Sequence, residues 1–321
     1  MIVLYVEDCR RRQLRPKTML SYEQALKLFA AWLKESEGVL QVEKIEEKHI
    51  SRYVLELQTR GKYTFCPMGE AVNYPQNRRD YKKPVSSITI NNYLRNLRAF
   101  FNWLVEMECI PHSPMKRNRM LSEERKPREY MEDDEVKALL KSLDRSYFSE
   151  YRDLLVIMLM LDSGTRLGET LSIEVDQLDI VDRSLYLPAS KTKGRKSRTV
   201  FFSPKTAKEL RRWLQFKDRY CHSELLFPVK HSGQTLQLND FEANFRKYLK
   251  RIGSTKRISP HTLRNNFAKR CLLAGMDIYT LSRLLGHSSV SVTEKAYLDV
   301  KDHDLRSRYS RFSPIAGIYD R

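Results

Sequence analysis

Apolar residues recur at helical spacing through the first third of the chain. Side chains three or four positions apart predict helices over residues 22–33, 50–57 and 90–104. A Pro-Lys-Thr start signal precedes the first helix, Gly61 ends the second, and Ser86 is a cap candidate for the third. This part of the chain is therefore predicted to be helical.

The pattern changes in the remainder of the chain, where helices flank one group of short strands. Residues 132–143 begin with acidic side chains, which favour a helix start, and residues 154–161 are apolar on all sides, which indicates a buried helix. Three strands are predicted around 178–180, 185–187 and 199–202, followed by helices near 207–214 and 238–249. The predicted fold class is mainly α with a small antiparallel β-meander, an α+β fold.

Breaks in these patterns predict two domains. Residues 1–112 form a helical domain with an insertion at 61–84, and residues 113–129 form a basic linker limited by prolines. Residues 130–321 form the second domain, with a tail at 301–321. An insertion of more than 20 residues is long for a compact domain, so this loop or small hairpin is either functional or a solvated, flexible segment.

The net charge of the chain indicates the class of partner that it binds. A net charge of +18 over 321 residues, with a pI near 9.6, suits a polyanion, and nucleic acid is the first candidate. The predicted DNA contacts lie in the insertion, in the linker and at the tip of a β-hairpin, and they are Arg78, Arg79, Lys82, Lys83, Lys116, Arg117, Lys191, Arg195 and Lys196.

The cysteines and the N-terminal residues indicate the cellular compartment of the protein. The five cysteines are odd in number and unpaired in spacing, which favours reduced thiols in a cytoplasm. The first residues lack the basic segment and the apolar run of a signal peptide. No stretch approaches the roughly 20 apolar residues that span a bilayer. We expect a cytoplasmic, nucleoid-associated prokaryotic protein with no membrane partner.

Candidate chemistry concentrates near the C-terminus. Ser259 is a good N-cap and Pro260 a good first helical residue, so a helix is predicted to start there. His261 and Arg264 are three positions apart and would share one face of its first turn. Helix N-termini favour anions, so this turn is a candidate phosphate site.

Further polar residues follow this turn and precede it. A short helix is predicted to end at Gly286, which leaves His287 at a turn, and a third helix carries Tyr297. Upstream, Arg166 and Glu169 follow a predicted helix break and are three positions apart. The set offers two guanidiniums, two imidazoles and a phenol.

A zinc site is the main alternative for the two histidines. Neither His261 nor His287 has a cysteine or a second histidine at ligand spacing nearby, which disfavours a metal. We therefore predict no metal and no cofactor.

The order of these residues along the chain is similar to that in a known protein family. The second domain shows Arg166 and Glu169 in a Gly-x-Arg-x-x-Glu box, Lys193 on the predicted hairpin, His261 and Arg264 in His-x-x-Arg, His287 in Leu-Gly-His, and a C-terminal Tyr297. This ordered set resembles the tyrosine recombinase, or phage integrase, family. The helical N-terminal half is similar to the family's core-binding domain, and the second domain to its catalytic domain.

The resemblance implies DNA strand exchange through a 3′-phosphotyrosine intermediate. Tyr297 would be the nucleophile, with His261 as the candidate base. Arg166, Arg264 and His287 would bind the scissile phosphate, and Glu169 would orient a cationic residue of the site. Lys193 would protonate the leaving oxygen, with Lys191 as the fallback on the same hairpin.

The resemblance also implies partners. Family members act as tetramers on two DNA sites, so we expect a homotetramer on double-stranded DNA with specific recombination sites. Accessory or excisionase-type proteins are further candidate partners. Tyr297 lies ten residues after His287, a spacing that resembles a subset of the family in mobile elements. We therefore expect a mobile-element integrase or a tyrosine-type transposase, acting in integration, excision or transposition.

Three alternatives remain open at this stage. A type IB topoisomerase-like nicking and closing enzyme would use similar chemistry without a second DNA site. A non-catalytic DNA-binding protein could keep the fold, although no predicted catalytic position is lost. An RNA-binding helical protein would explain the charge but not the ordered set of arginines, histidines and tyrosine.

Overall fold

The chain forms two compact units, Met1–Lys126 and Pro127–Arg321, in a computed structural model. The structure describes residues 1–65, 75–115, 120–122, 129–192, 194, 196–287 and 289–297, with the backbone alone at 75 and 295–297. Four predicted site residues (Lys116, Arg117, Lys193 and Arg195), the tail at 301–321 and the side chain of Tyr297 therefore lie outside the described residues. None of the described helices is long and apolar enough to cross a membrane.

The first unit is helical, and its core is aromatic. Tyr5, Phe29, Tyr53 and Phe101 are buried together there. Ser86 caps the longest helix, because its side chain accepts a hydrogen bond from Thr89 N at 3.3 Å. The α-helices described in this unit are α1 (Ile2–Arg11), α2 (Pro16–Trp32), α3 (Glu47–Thr59) and α4 (Ser87–Glu106).

The insertion at 61–84 begins and ends as a short antiparallel pair. Gly61 bridges to Pro84, and Lys62 N donates to Lys83 O at 2.8 Å. Residues 66–74 of the insertion lie outside the described residues.

The second unit combines eight described α-helices with one small sheet. Strand β2 pairs antiparallel with both β1 and β3, in the order β1-β2-β3, which is the predicted meander. The elements are α5 (Asp133–Ser142), α6 (Phe148–Ser163), α7 (Leu167–Leu171), β1 (Leu178–Asp179), β2 (Ser184–Leu187), β3 (Arg198–Phe201), α8 (Pro204–Tyr220), α9 (Leu238–Arg251), α10 (Pro260–Leu273), α11 (Ile278–Leu285) and α12 (Val290–Tyr297).

Helix α6 is the centre of this unit. Its middle turns, from Leu154 to Met160, are buried on every side, as the all-round apolar pattern predicts. A smaller apolar cluster of Phe267, Ala268, Leu281 and Leu285 joins α10 to α11. These contacts fix the ends of α6, α10 and α11 relative to one another.

Two buried asparagines hold the backbone on either side of residues 123–128. Asn91 accepts from Leu121 N at 2.8 Å and donates to Leu121 O at 3.0 Å. In the second unit, Asn266 on α10 accepts from Met131 N at 3.2 Å. Backbone groups on both sides of residues 123–128 are therefore bonded to a helix of their own unit.

Candidate active site

A tight turn after α6 positions Arg166. Gly164 ends α6 with a left-handed φ of +67°. A Cβ at this position would lie 2.3 Å from the Phe267 ring, so no larger residue fits. Arg166 then caps α7, because its backbone N–H donates to Glu169 Oε2 at 3.1 Å. Its side chain is 26% exposed, so a ligand can reach it.

Glu169 is a buried carboxylate held between two guanidiniums. Its Oε1 accepts from Arg166 Nη1 at 2.8 Å, and its Oε2 accepts from Arg198 Nη2 at 2.6 Å. Burial would raise the pKa of Glu169, but the bonds to Arg198 and Arg166 outweigh it and lower the pKa to about 2. The carboxylate is therefore charged at neutral pH and orients both arginines.

Helix α10 begins where the sequence predicts and carries His261 and Arg264. Ser259 and Thr262 form a capping box, and Pro260 is the first helical residue. His261 is exposed on the first turn, whereas Arg264, one turn further, is 1% exposed. The same turn thus presents an accessible imidazole and a buried guanidinium.

The Arg264 guanidinium is fixed by bonds to the end of α6 and to the turn at the end of α11. Nη1 donates to Gly164 O at 2.7 Å, and Nη2 donates to Leu285 O at 2.6 Å. Nη2 also lies 3.1 Å from His287 Nε2. The side chain therefore joins the ends of α6 and α11 to the turn that carries His287, and its orientation is set before any ligand arrives.

His287 follows the end of α11 at Gly286, which has a left-handed φ of +63°. Its Nδ1 lies 2.7 Å from Thr293 Oγ1 on α12. Burial lowers the pKa of His287 to about 4, helped by the charges of Arg264, Arg166, Arg198 and His261. The imidazole is neutral at pH 7.

The structure thus brings four predicted residues to one place: Arg166, His261, Arg264 and His287. Tyr297 is the last residue of α12, the helix that is bonded to His287 through Thr293. Residues 192 and 194, which flank Lys193, line a cavity that His287 also lines. Among the described residues, no group of His, Cys, Asp and Glu side chains could hold a metal ion.

Lys191, the fallback for the acid on the hairpin, is bonded to the end of α7. Its Nζ donates to Ser172 O at 2.8 Å and pairs with Glu174 Oε1 at 2.9 Å. These bonds fasten the segment after β2 to the end of α7. Lys193 as the acid of the hairpin, with Lys191 as its fallback, stays a prediction.

The other predicted DNA contacts that the structure describes are exposed on the insertion and the hairpin. Arg78 lies over the Tyr63 ring at 4.2 Å and pairs with Asp80 at 3.3 Å. Lys82 lies 5.5 Å from the Tyr81 ring. The exposed residues of this set are Arg78, Arg79, Lys82, Lys83 and Lys196.

Arg198 is a site residue that the sequence analysis missed. Besides Glu169, it donates from Nε to Leu284 O at 2.9 Å. A Cβ at Gly286 would lie 2.9 Å from Arg198 Cδ, so the glycine leaves room for this side chain. Arg198 and Val200 share the inward face of β3. An arginine in register with a buried valine is the signal that would have identified it.

Replacing Arg198 with methionine is expected to destabilise the second unit. Glu169 would lose one of two cationic partners, at a cost of about 2–3 kcal/mol in the free energy of unfolding at pH 7. The depressed pKa of Glu169 stabilises the fold above its ordinary value of 4.5, and that contribution is lost as pH falls toward 2. The difference between wild type and variant should therefore shrink at pH 3.5.

Urea unfolding at the two pH values measures this effect. The control is Lys208→Met, which removes one positive charge from an exposed position of α8. An Arg198→Met penalty that is equal at both pH values, or no larger than that of the control, would refute the pairing role.

Arginines fixed at helix ends next to two histidines are the kind of donors that bind phosphate oxygens. Residues 129–304 match the family described as "Phage integrase family". Residues 4–110 match the family described as "Phage integrase, N-terminal SAM-like domain". The chain belongs to the phage integrase family, whose members are tyrosine recombinases. The predicted family and the predicted α+β fold class are confirmed.

Curated relatives span most of this chain. Tyrosine recombinase XerD of Lacticaseibacillus casei is 27% identical over 309 residues, which cover 94% of each chain. Tyrosine recombinase XerA of Saccharolobus solfataricus is 30% identical over 230 residues, covering 71% of this chain and 69% of the relative.

Solved structures share the fold. The Tn1549 transposon integrase, in complex with a circular intermediate DNA, matches with a TM-score of 0.72 at 17% identity, covering 97% of this chain and 99% of the other. XerH site-specific recombinase, bound to a palindromic difH substrate, matches with a TM-score of 0.71 at 18% identity and covers 94% and 82%.

Proposed function

We propose that this chain is a site-specific DNA recombinase that cleaves and rejoins DNA strands through a 3′-phosphotyrosine intermediate. The observation that carries the proposal is the pair of guanidiniums, Arg166 held by Glu169 and Arg264 held by two backbone carbonyls. Their positions are set before substrate binds, as stabilisation of a developing anion requires.

The two arginines and two histidines would bind the scissile phosphate. Charge grows on the non-bridging oxygens as the phosphorus becomes five-coordinate, and guanidinium N–H groups are suited to those oxygens. His261 is exposed beside Arg264 and adds a polar group at the same end of α10. The cationic side chains therefore supply the charge that a bound metal ion supplies in other phosphoryl-transfer enzymes.

Tyr297 would attack the phosphorus. Its phenol has an ordinary pKa near 10, so a base must take the proton, and His261 is our candidate. The tyrosine oxygen forms a bond to phosphorus as the bond to the 5′-oxygen breaks, and Lys193 would protonate that oxygen. The phosphotyrosine keeps the bond energy, so a 5′-hydroxyl can reverse the step without ATP.

DNA binding would depend mainly on contacts with phosphates. The net charge of +18 and the exposed lysines and arginines of the insertion and hairpin support this. Affinity should therefore fall steeply with salt. Helices α4 and α9 are candidates for the major groove. On α9, four basic side chains are exposed: Arg246, Lys247, Lys250 and Arg251.

The proposal extends to a mobile element and to a tetramer on DNA. The ten-residue spacing from His287 to Tyr297 and the long insertion at 61–84 support a mobile-element integrase or a tyrosine-type transposase. The tail at 301–321 would pack on a neighbouring subunit.

A suicide substrate tests the function directly. Nicked duplexes that tile the DNA flanking the gene would be incubated with the full chain in EDTA and without ATP. We expect a covalent protein–DNA adduct at a 3′-phosphate, and recombinant products when two cognate sites are supplied. Binding without an adduct would favour a non-catalytic DNA-binding protein. Adducts with supercoil relaxation but no exchange would favour a topoisomerase-like enzyme.

A further inference from the structure

We propose that Thr293 is a positioning residue that keeps the His287 ring in one orientation during catalysis and ties the helix of the nucleophile to the phosphate site. The inference rests on the proposed function and deepens it. It starts from one short contact, between His287 Nδ1 and Thr293 Oγ1 at 2.7 Å.

The partners of His287 determine its tautomer. A guanidinium has donors and no acceptor, so Arg264 Nη2, 3.1 Å away, must donate to Nε2. Nε2 then carries no proton, and the proton of the neutral ring lies on Nδ1. Nδ1–H donates to Thr293 Oγ1, because the hydroxyl oxygen can accept. Thr293 thereby stabilises the tautomer that Arg264 requires.

The same contact suits the protonated ring. Burial and neighbouring positive charges hold the pKa of His287 near 4 in the free chain, and an anionic phosphate at the site would raise it. When Nε2 gains a proton, it becomes a donor for a phosphate oxygen. Nδ1–H still donates to Thr293, so the ring changes its charge without turning over.

Thr293 also connects this ring to the helix of the nucleophile. It is fully buried in α12, and Tyr297 lies four positions, about one turn, further along. The bond from Ser282 Oγ to Ser289 O, which also joins α11 to the turn before α12, is longer, at 3.4 Å. The short bond from His287 therefore fixes α12 next to Arg264.

Two substitutions of Thr293 separate the effect of its hydroxyl from the effect of its side-chain shape. Thr293→Val keeps the branched shape but removes the acceptor, whereas Thr293→Ser keeps the hydroxyl. With saturating nicked DNA, we expect the Val variant to form the adduct about 10- to 100-fold more slowly, the effect of a small misplacement of a reacting group. The Ser variant should stay within about threefold of wild type, because it keeps the bond.

A second readout does not depend on activity. In the full chain labelled with ¹⁵N-histidine, the ring nitrogens of His287, assigned by comparison with His287→Gln, should show the Nδ1–H tautomer at pH 7. Thr293→Val should shift the ring to a mixture of tautomers, and Thr293→Ser should restore the wild-type signal. A loss of packing alone would not give this pattern.

The outcomes are distinct. A Val variant with wild-type adduct rate and wild-type ring signals would overturn the inference, and so would a folded Ser variant as slow as the Val variant. If wild type itself forms no adduct on any flanking DNA, the proposed function fails. The tautomer measurement in the free chain would then still decide whether Thr293 holds His287.

Discussion

Tyr297→Phe is expected to abolish the covalent protein–DNA adduct while leaving DNA binding within about twofold. The substitution removes a single oxygen, the one that would attack phosphorus, so the loss of adduct should be at least about 10⁴-fold. The phosphate contacts that dominate affinity would be unchanged. Adduct formation on the nicked substrate and binding of intact duplex, measured at one salt concentration, check both halves of the prediction.

Tyr147→Phe is the matched control, because this tyrosine is exposed at the start of α6. It should form the adduct at the wild-type rate. Adduct formation by Tyr297→Phe would show that another residue is the nucleophile, and Tyr309 and Tyr319 of the tail would then be tested in the same way. Failure of both Phe variants to bind DNA would indicate misfolding instead of lost chemistry.

The parts of the site that depend on local backbone rules could be predicted from the sequence. Ser259 and Pro260 start α10 because a capping hydroxyl and a fixed φ are both local properties. Gly164 and Gly286 end α6 and α11 in left-handed conformations that other residues rarely adopt. Those four positions determine where the helices next to the site residues begin and end.

The bonds among the side chains could not be predicted, since they join distant segments. Arg198 bonds to Glu169, 29 positions away in the sequence, and to Leu284, 86 positions away. Contacts at such separations produce no periodic pattern in the sequence. The bond from His287 to Thr293 depends on the angle between α11 and α12. Spacing along the chain does not determine that angle.

Helix α1 was missed for a different reason. Residues 2–11 show only a weak helical pattern, in which Tyr5 and Cys9, four positions apart, form the buried face. In the structure Tyr5 packs against Tyr22 and Phe100, with ring centroids about 5.5 and 5.4 Å apart. A face of only two apolar positions is too short to stand out from its charged neighbours.

Arg264→Lys is expected to lower the adduct rate by about 10³-fold or more at saturating DNA. A lysine keeps the charge but replaces a planar fork with one flexible ammonium. It cannot donate to Gly164 O and Leu285 O and also present aligned donors to a phosphate. Loss of a single preorganised donor typically costs 10²–10³ in rate, and here the whole fork is lost.

Stability should fall as well, by about 1–3 kcal/mol in the free energy of unfolding, because a buried carbonyl would lose its donor. Urea unfolding measures this loss, and Arg211→Lys, at an exposed position of α8, is the matched control for the unfolding and adduct assays.

A substrate with a neutral methylphosphonate at the scissile position separates the catalytic role of Arg264 from its role in stability. If Arg264 neutralises phosphate charge, the rate deficit of the lysine variant should shrink on that substrate. A deficit of the same size on both substrates would restrict Arg264 to holding the fold together, and a rate within tenfold of wild type would remove it from the proposed chemistry.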